Sequence, residues 1–142
     1  MVQRASYKGE KMTREQFIAL PDMAADIQRR AAQVNRLRAR LTSPKGLDTR
    51  EKVQSSGSNN NMADVLIDMA AELDNIRSIY QKQLEEAQDL IDDRLKSYPD
   101  LILLTSLRYL SNRPWSDISA IMGYSAATIF RKHDTALAIL FD

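Results

Sequence analysis

Residues Trp115 to Asp134, WSDISAIMGYSAATIFRKHD, read as a helix, a tight turn and a second helix. Ile118, Ile121 and Met122 recur at helical spacing and predict one apolar stripe on the first helix. Gly123 then supplies the backbone freedom that a sharp helix exit needs. Ser125 is a favoured N-cap, because its hydroxyl accepts from an orphan amide of the next helix. Ile129, Ala136, Leu137 and Leu140 predict the inward face of that helix. With Trp115 as position one, the glycine falls at nine and Ile129 at fifteen, and Ser119, at five, is small enough for the helices to cross closely. That is the spacing of a helix-turn-helix, whose second helix enters the major groove of DNA with its N-terminal residues at the base edges. A packed helical hairpin with a glycine turn fits the same residues.

Upstream of this stretch, Leu101, Leu103, Leu104, Leu107 and Leu110 predict an apolar helix packed across the back of the two others. Pro99 stands at a tolerated first-turn position and Asp100 is favourable beside it. Trp115 reads as the large core anchor of this small bundle. From Met62 to Ser97 runs a long amphipathic helix. Met62, Met69, Ile76, Gln83 and Leu90 form one seven-residue series, and Leu66, Leu73, Tyr80 and Ala87 the other. Such a stripe needs a partner helix, either residues 22–41 folded back antiparallel or the same helix of a second subunit. The adjacent carboxylates Glu85/Glu86 and Asp92/Asp93 point about 100° apart on a helix and read as solvated charges.

Closer to the N-terminus, Thr13 to Gln16 matches a capping box, so a short helix is expected from Arg14 until Pro21 breaks it. Asp22 would cap a second helix through Leu41, with Met23, Ile27, Val34, Leu37 and Leu41 on one face and Arg29, Arg30, Arg36, Arg38 and Arg40 on the other. Arg29, Arg36 and Arg40 are candidate phosphate contacts. A solvated face, or a partner face for the acidic helix that follows, accounts for the same arginines. Residues 1–12 are polar and basic and read as a poorly ordered arm, and Thr42 to Asn61 as a polar linker without apolar period. The expected organisation is a basic helical segment (1–41), the linker (42–61), the long coiled-coil-like helix (62–98) and a C-terminal helix-turn-helix domain (99–142). The fold class is all-α: a long helical hairpin or coiled coil followed by a small bundle.

Composition narrows the chemistry. The chain of 142 residues has no Cys and a single His, which excludes thiolate and His-pair metal sites and disfavours acid–base catalysis, so no enzyme, metal or cofactor is expected. No apolar run is long enough for a membrane span, and the first residues lack the apolar stretch of a signal peptide, so a cytoplasmic protein is expected. Residues 1–60 hold 12 Lys/Arg against 6 Asp/Glu, residues 61–98 hold 4 against 9, and residues 99–142 hold 4 against 4. The expected reading module is therefore neutral, and strong phosphate attraction would have to come from the N-terminal part.

From Leu107 to Leu140, LRYLSNRPWSDISAIMGYSAATIFRKHDTALAIL, the sequence resembles region 4 of bacterial sigma factors. With the VQSS stretch of Val53–Ser56 and the long amphipathic helix, the whole is similar in layout to small phage and prophage proteins, the late transcription regulators of the ArpU and RinA type. The resemblance implies a phage- or prophage-encoded regulator that binds double-stranded DNA; helix 62–97 would then form a homo-oligomer, dimer favoured, or contact a partner such as RNA polymerase. By position, it puts Tyr124, Ser125, Ala126, Ala127, Thr128, Arg131 and Lys132 at the DNA, with Arg131 suited to a bidentate contact to guanine. The match departs at Lys132, usually apolar, at Pro114, usually a Ser or Thr cap, and at Asp134, which is acidic near the DNA face. Two other functions fit the same features: recognition of phage DNA for packaging, where the coiled coil would build a ring, and a module that binds polymerase or another protein without touching DNA.

Overall fold

The structure, a computed structural model, describes residues 12–42 and 56–142, and only the backbone of residues 56–60. Six α-helices and no strand occur among the described residues: α1 Arg14–Ile18, α2 Leu20–Thr42, α3 Ser56–Arg94, α4 Pro99–Thr105, α5 Trp115–Met122 and α6 Ala126–Phe141. α4 continues into a π-helical turn, Ser106–Leu110. The all-α expectation holds. Residues 1–11 and 43–55, the expected basic arm and most of the expected linker, lie outside the described residues.

Several boundaries differ from those expected. The capping box of α1 forms as read: the Gln16 amide donates to the Thr13 hydroxyl at 3.1 Å, and the Thr13 amide to the Gln16 side chain at 2.9 Å. Pro21, however, breaks nothing. Only Ala19 separates α1 from α2, and Pro21 lies in the first turn of α2, where an amide hydrogen is not needed. Asp22 lies in that turn rather than capping it. α3 starts at Ser56, so the last six residues of the expected linker are helix, and it ends at Arg94 instead of Ser97.

Packing divides the chain into two units, one holding the residues up to Ala24 together with Tyr80–Asp142, the other Ala25–Ile79. This cut runs through α2 and α3, whereas the divisions read from the sequence fall at 41, 61 and 98. The reason lies in α1 and the start of α2. Met12, Phe17 and Leu20 are buried among Ala87, Leu90, Ile91 and Leu95 of the first unit, with Leu101, Tyr109, Ala136, Leu137 and Leu140. Phe17 lies tilted against Tyr109 at 4.3 Å between ring centroids and meets Phe141 edge-on at 5.4 Å. Arg94 closes the far end of this core, its guanidinium donating at 2.9 Å to the Leu140 carbonyl, one of the last-turn acceptors of α6 that no helical amide can reach.

In the second unit, α2 and α3 lie antiparallel. Arg30 meets Glu72 at 3.4 Å, and farther along Leu37 and Arg40 lie beside Met69. Val34 and Leu73 are buried there, and Met62, Leu66, Met69 and Ile76 are half-buried. The two heptad series of α3 do point inward in this unit.

Candidate nucleic-acid interface

A second, smaller core sets the geometry of α5 and α6. Leu104, Ile118 and Ile129, one from each of three helices, are buried together, with Leu107, Trp115 and Met122 packed around them. Ile121 does not join them. It is 51% exposed, outside the narrow stripe of α5 that a core of three side chains buries. Leu103 likewise faces outward at 45%. The turn between the helices forms as its residues predict. Gly123 is left-handed at φ 75°, and its amide and that of Tyr124 both donate to the Ser119 carbonyl. The Ser119 hydroxyl donates to the Tyr124 carbonyl, a role beyond mere small size. The Ser125 hydroxyl accepts from the Thr128 amide at 3.2 Å and caps α6.

The outer face of α6 carries most of the expected contact residues. Tyr124, Ser125, Ala126, Ala127 and Arg131 are exposed and Thr128 is half-buried. Ser125 donates to the Thr128 hydroxyl at 3.1 Å, and Arg131 donates to the same oxygen at 3.2 Å. A hydroxyl, a hydroxyl and a guanidinium therefore stand in one row across the first two turns of α6. Ala126 and Ala127 leave room for a close approach to the helix start.

Lys132 does not belong to this row. Its ammonium meets Asp100 at the start of α4 at 2.8 Å and lies 5.0 Å from the Tyr124 ring centroid. The hydrogen bond from Lys132 holds the Asp100 carboxyl below its ordinary range, and Asp100 raises Lys132 in return. Lys132 thus ties α6 to α4. Asp134 is exposed on α6, three residues beyond Arg131.

Behind the row is a polar contact that sequence reading missed. The Tyr109 hydroxyl and His133 Nε2 lie 2.5 Å apart. Burial pushes the Tyr109 hydroxyl up to about 12, against the pull of Arg108 and Arg14, so the phenol stays neutral beside the imidazole. Burial likewise lowers His133 below its ordinary 6.5, with Arg108 and Arg14 adding to the effect and Asp134 opposing it. Trp115 meets the imidazole edge-on at 4.8 Å, and Arg108 lies 4.6 Å over the Trp115 ring. The π-helical turn makes the contact, since its wider winding (Ser111 amide to Ser106 carbonyl, 2.9 Å) sets Tyr109 inward while Arg108 reaches the tryptophan.

This arrangement fixes a pH response. The unfolded chain takes up a proton on His133 as pH falls through about 6.5, whereas the folded chain resists it until lower pH, so stability falls on acidification through that window. Melting temperature measured from pH 8 to 5 is expected to decline below 6.5 in the parent protein and to stay flat over the same window in His133→Gln. Parallel curves would show that the imidazole does not report folding.

In the second unit, the candidate phosphate contacts are unequal. Arg29 is engaged by Asp26 at 3.1 Å on its own helix, and the Asp26 carboxyl is held below its ordinary range, chiefly by its hydrogen bond from Arg30. Arg36 and Arg40 are exposed and have no ion pair among the described residues. No group of acidic or histidine side chains suited to a metal occurs among the described residues, and no described helix is long and apolar enough to cross a membrane. No protein-family model, no curated protein and no solved structure matches the chain.

Proposed function

We propose that the chain binds double-stranded DNA through α5, the Gly123 turn and α6, as a phage- or prophage-encoded regulator of transcription in the cytoplasm of its host, without catalytic activity. The observation that carries the reading is the row Ser125–Thr128–Arg131, pre-ordered by hydrogen bonds on the exposed first turns of a capped helix. In this reading Arg131 reaches a guanine edge, Thr128 a base or phosphate, and Ser125 and Tyr124 the backbone. Lys132 is withdrawn from the contact set because Asp100 holds it.

A protein partner such as RNA polymerase is the second reading, supported by Ile121, Tyr124 and Phe130, which are 51%, 39% and 45% exposed on the same module. Selection of bound duplexes from a random-sequence library, at two salt concentrations, separates the two. Recovery of one motif that survives the higher salt supports DNA reading. Uniform recovery that vanishes with salt sinks it and favours the protein partner. With the motif in hand, Arg131→Ala is expected to cost about 1–3 kcal/mol and to relax preference at one base pair. Unchanged affinity and preference would remove α6 from the groove.

A further inference from the structure

One face of the second unit carries both signs of charge around an uncovered apolar strip. On α2 this face presents Arg29, Arg36 and Arg40, with Gln33 and Leu37 between them, and on α3 it presents Asp68 and Glu72. The Arg30–Glu72 contact and the position of Met69 beside Leu37 and Arg40 fix which flanks of the two helices share it. Val65, Glu72 and Ile79 lie one below the other at seven-residue spacing, next to half-buried Met69 and Ile76. Val65 is 48% and Ile79 45% exposed. Ile67 lies on the opposite flank of α3 and is not part of the strip.

We propose that this face pairs with the same face of a second copy of the chain, giving a four-helix bundle in which α2 of each copy lies on α3 of the other. Charge selects the occupant and its orientation. Two hairpins can meet face to face on a two-fold axis in two ways. With the axis across the helices, α2 meets α2 and α3 meets α3, which sets arginine against arginine and carboxylate against carboxylate. With the axis along the helices, α2 meets α3, and residues at equal heights face each other. The Arg30–Glu72 register puts Arg29 about one residue step from the level of Glu72 and Arg36 about two steps from that of Asp68. The second arrangement therefore sets Arg29 by the other copy's Glu72 and Arg36 by its Asp68, and closes Leu37, Val65, Met69, Ile76 and Ile79 into a common core. Opposite charges that flank an apolar seam give pairing and orientation their specificity. This pairing deepens the DNA reading, since two modules would be delivered together, but it is measured without DNA and stands or falls apart from it.

The test is molar mass by light scattering across micromolar concentrations, with helicity followed by circular dichroism. The parent protein is expected at twice 16.2 kDa. Arg36→Glu and Asp68→Arg, both at exposed positions, are each expected to give the single-chain mass at unchanged helicity, and the double exchange to restore the dimer. Val65→Lys is expected to give the single-chain mass as well. A parent protein that is a monomer throughout, as when another segment of the chain covers the face, overturns the proposal. So does an assembly larger than two, a dimer indifferent to the single changes, or a double exchange that fails to restore pairing.

Discussion

Replacing Phe17 with alanine is expected to destabilise the first unit by about 3–5 kcal/mol, more than any change on its surface. The ring is fully buried and touches partners that come from the far end of the chain, Tyr109 in the π-helical turn and Phe141 in the last turn of α6. Its removal leaves a hole between three elements that backbone shifts in one of them cannot close. It also opens one side of Tyr109, whose hydroxyl depends on exclusion of water to hold its contact with His133. Trp115 is the chain's single tryptophan and lies in the same unit, so urea unfolding followed by its fluorescence reads this unit directly. Ile18, the next residue along α1 and 44% exposed, is the control, and Ile18→Ala is expected to shift stability by about 0.5 kcal/mol or less. Equal and small effects of both changes would mean that α1 is an appendage and that the module folds from residues 80–142 alone.

The place of Phe17 marks the limit of what the sequence discloses. Local chemistry was legible: the capping box at Thr13, the left-handed exit at Gly123, the Ser125 cap and the heptad rows of α3 all form where their residue types require. These features are decided within a few residues, by hydrogen bonds to orphan amides, by steric limits on φ, or by helical period. Phe17 is different, because an isolated five-residue helix shows nothing of which distant surface will bury its one large side chain. The same holds for Lys132 and Asp100, 32 residues apart, and for Tyr109 and His133, 24 apart. Lys132 carries no local mark of its pairing with Asp100, since a lysine in the middle of α6 serves a solvent face, a DNA face or a distant carboxylate equally well. Ile121 and Leu103 were assigned inward by spacing, but two helices crossing over a core of three side chains bury only a narrow stripe of each. At the candidate site, Ser125, Ala126, Ala127, Thr128 and Arg131 came by position from the resemblance, whereas the hydrogen bonds that align Ser125, Thr128 and Arg131 are a matter of side-chain geometry that no sequence pattern carries.

Ile129→Ala is the change expected to separate the two cores of the first unit. The residue is 1% exposed and, with Leu104 and Ile118, makes up all of the fully buried part of the smaller core. Loss of three carbons at such a site costs about 2–5 kcal/mol. The C-terminal half of α6 has its own anchors, Ala136, Leu137 and Leu140, in the larger core, and Arg94 holds its last turn. The first turns of α6 have no buried residue other than Ile129. Amide exchange is therefore expected to quicken through α5 and residues 126–131 while residues 136–141 stay protected, and Ile129→Val is expected to show a small fraction of the effect. Under the DNA reading the consequence is larger than the side chain's own contacts suggest. Ile129 faces away from the row of Ser125, Thr128 and Arg131, yet it fixes the helix on which that row is ordered, so its truncation should weaken binding to a selected duplex with every contacting residue still present. Exchange that rises uniformly along α6 would show instead that the two cores open as one, and the recognition turns could then not loosen without unfolding the whole unit.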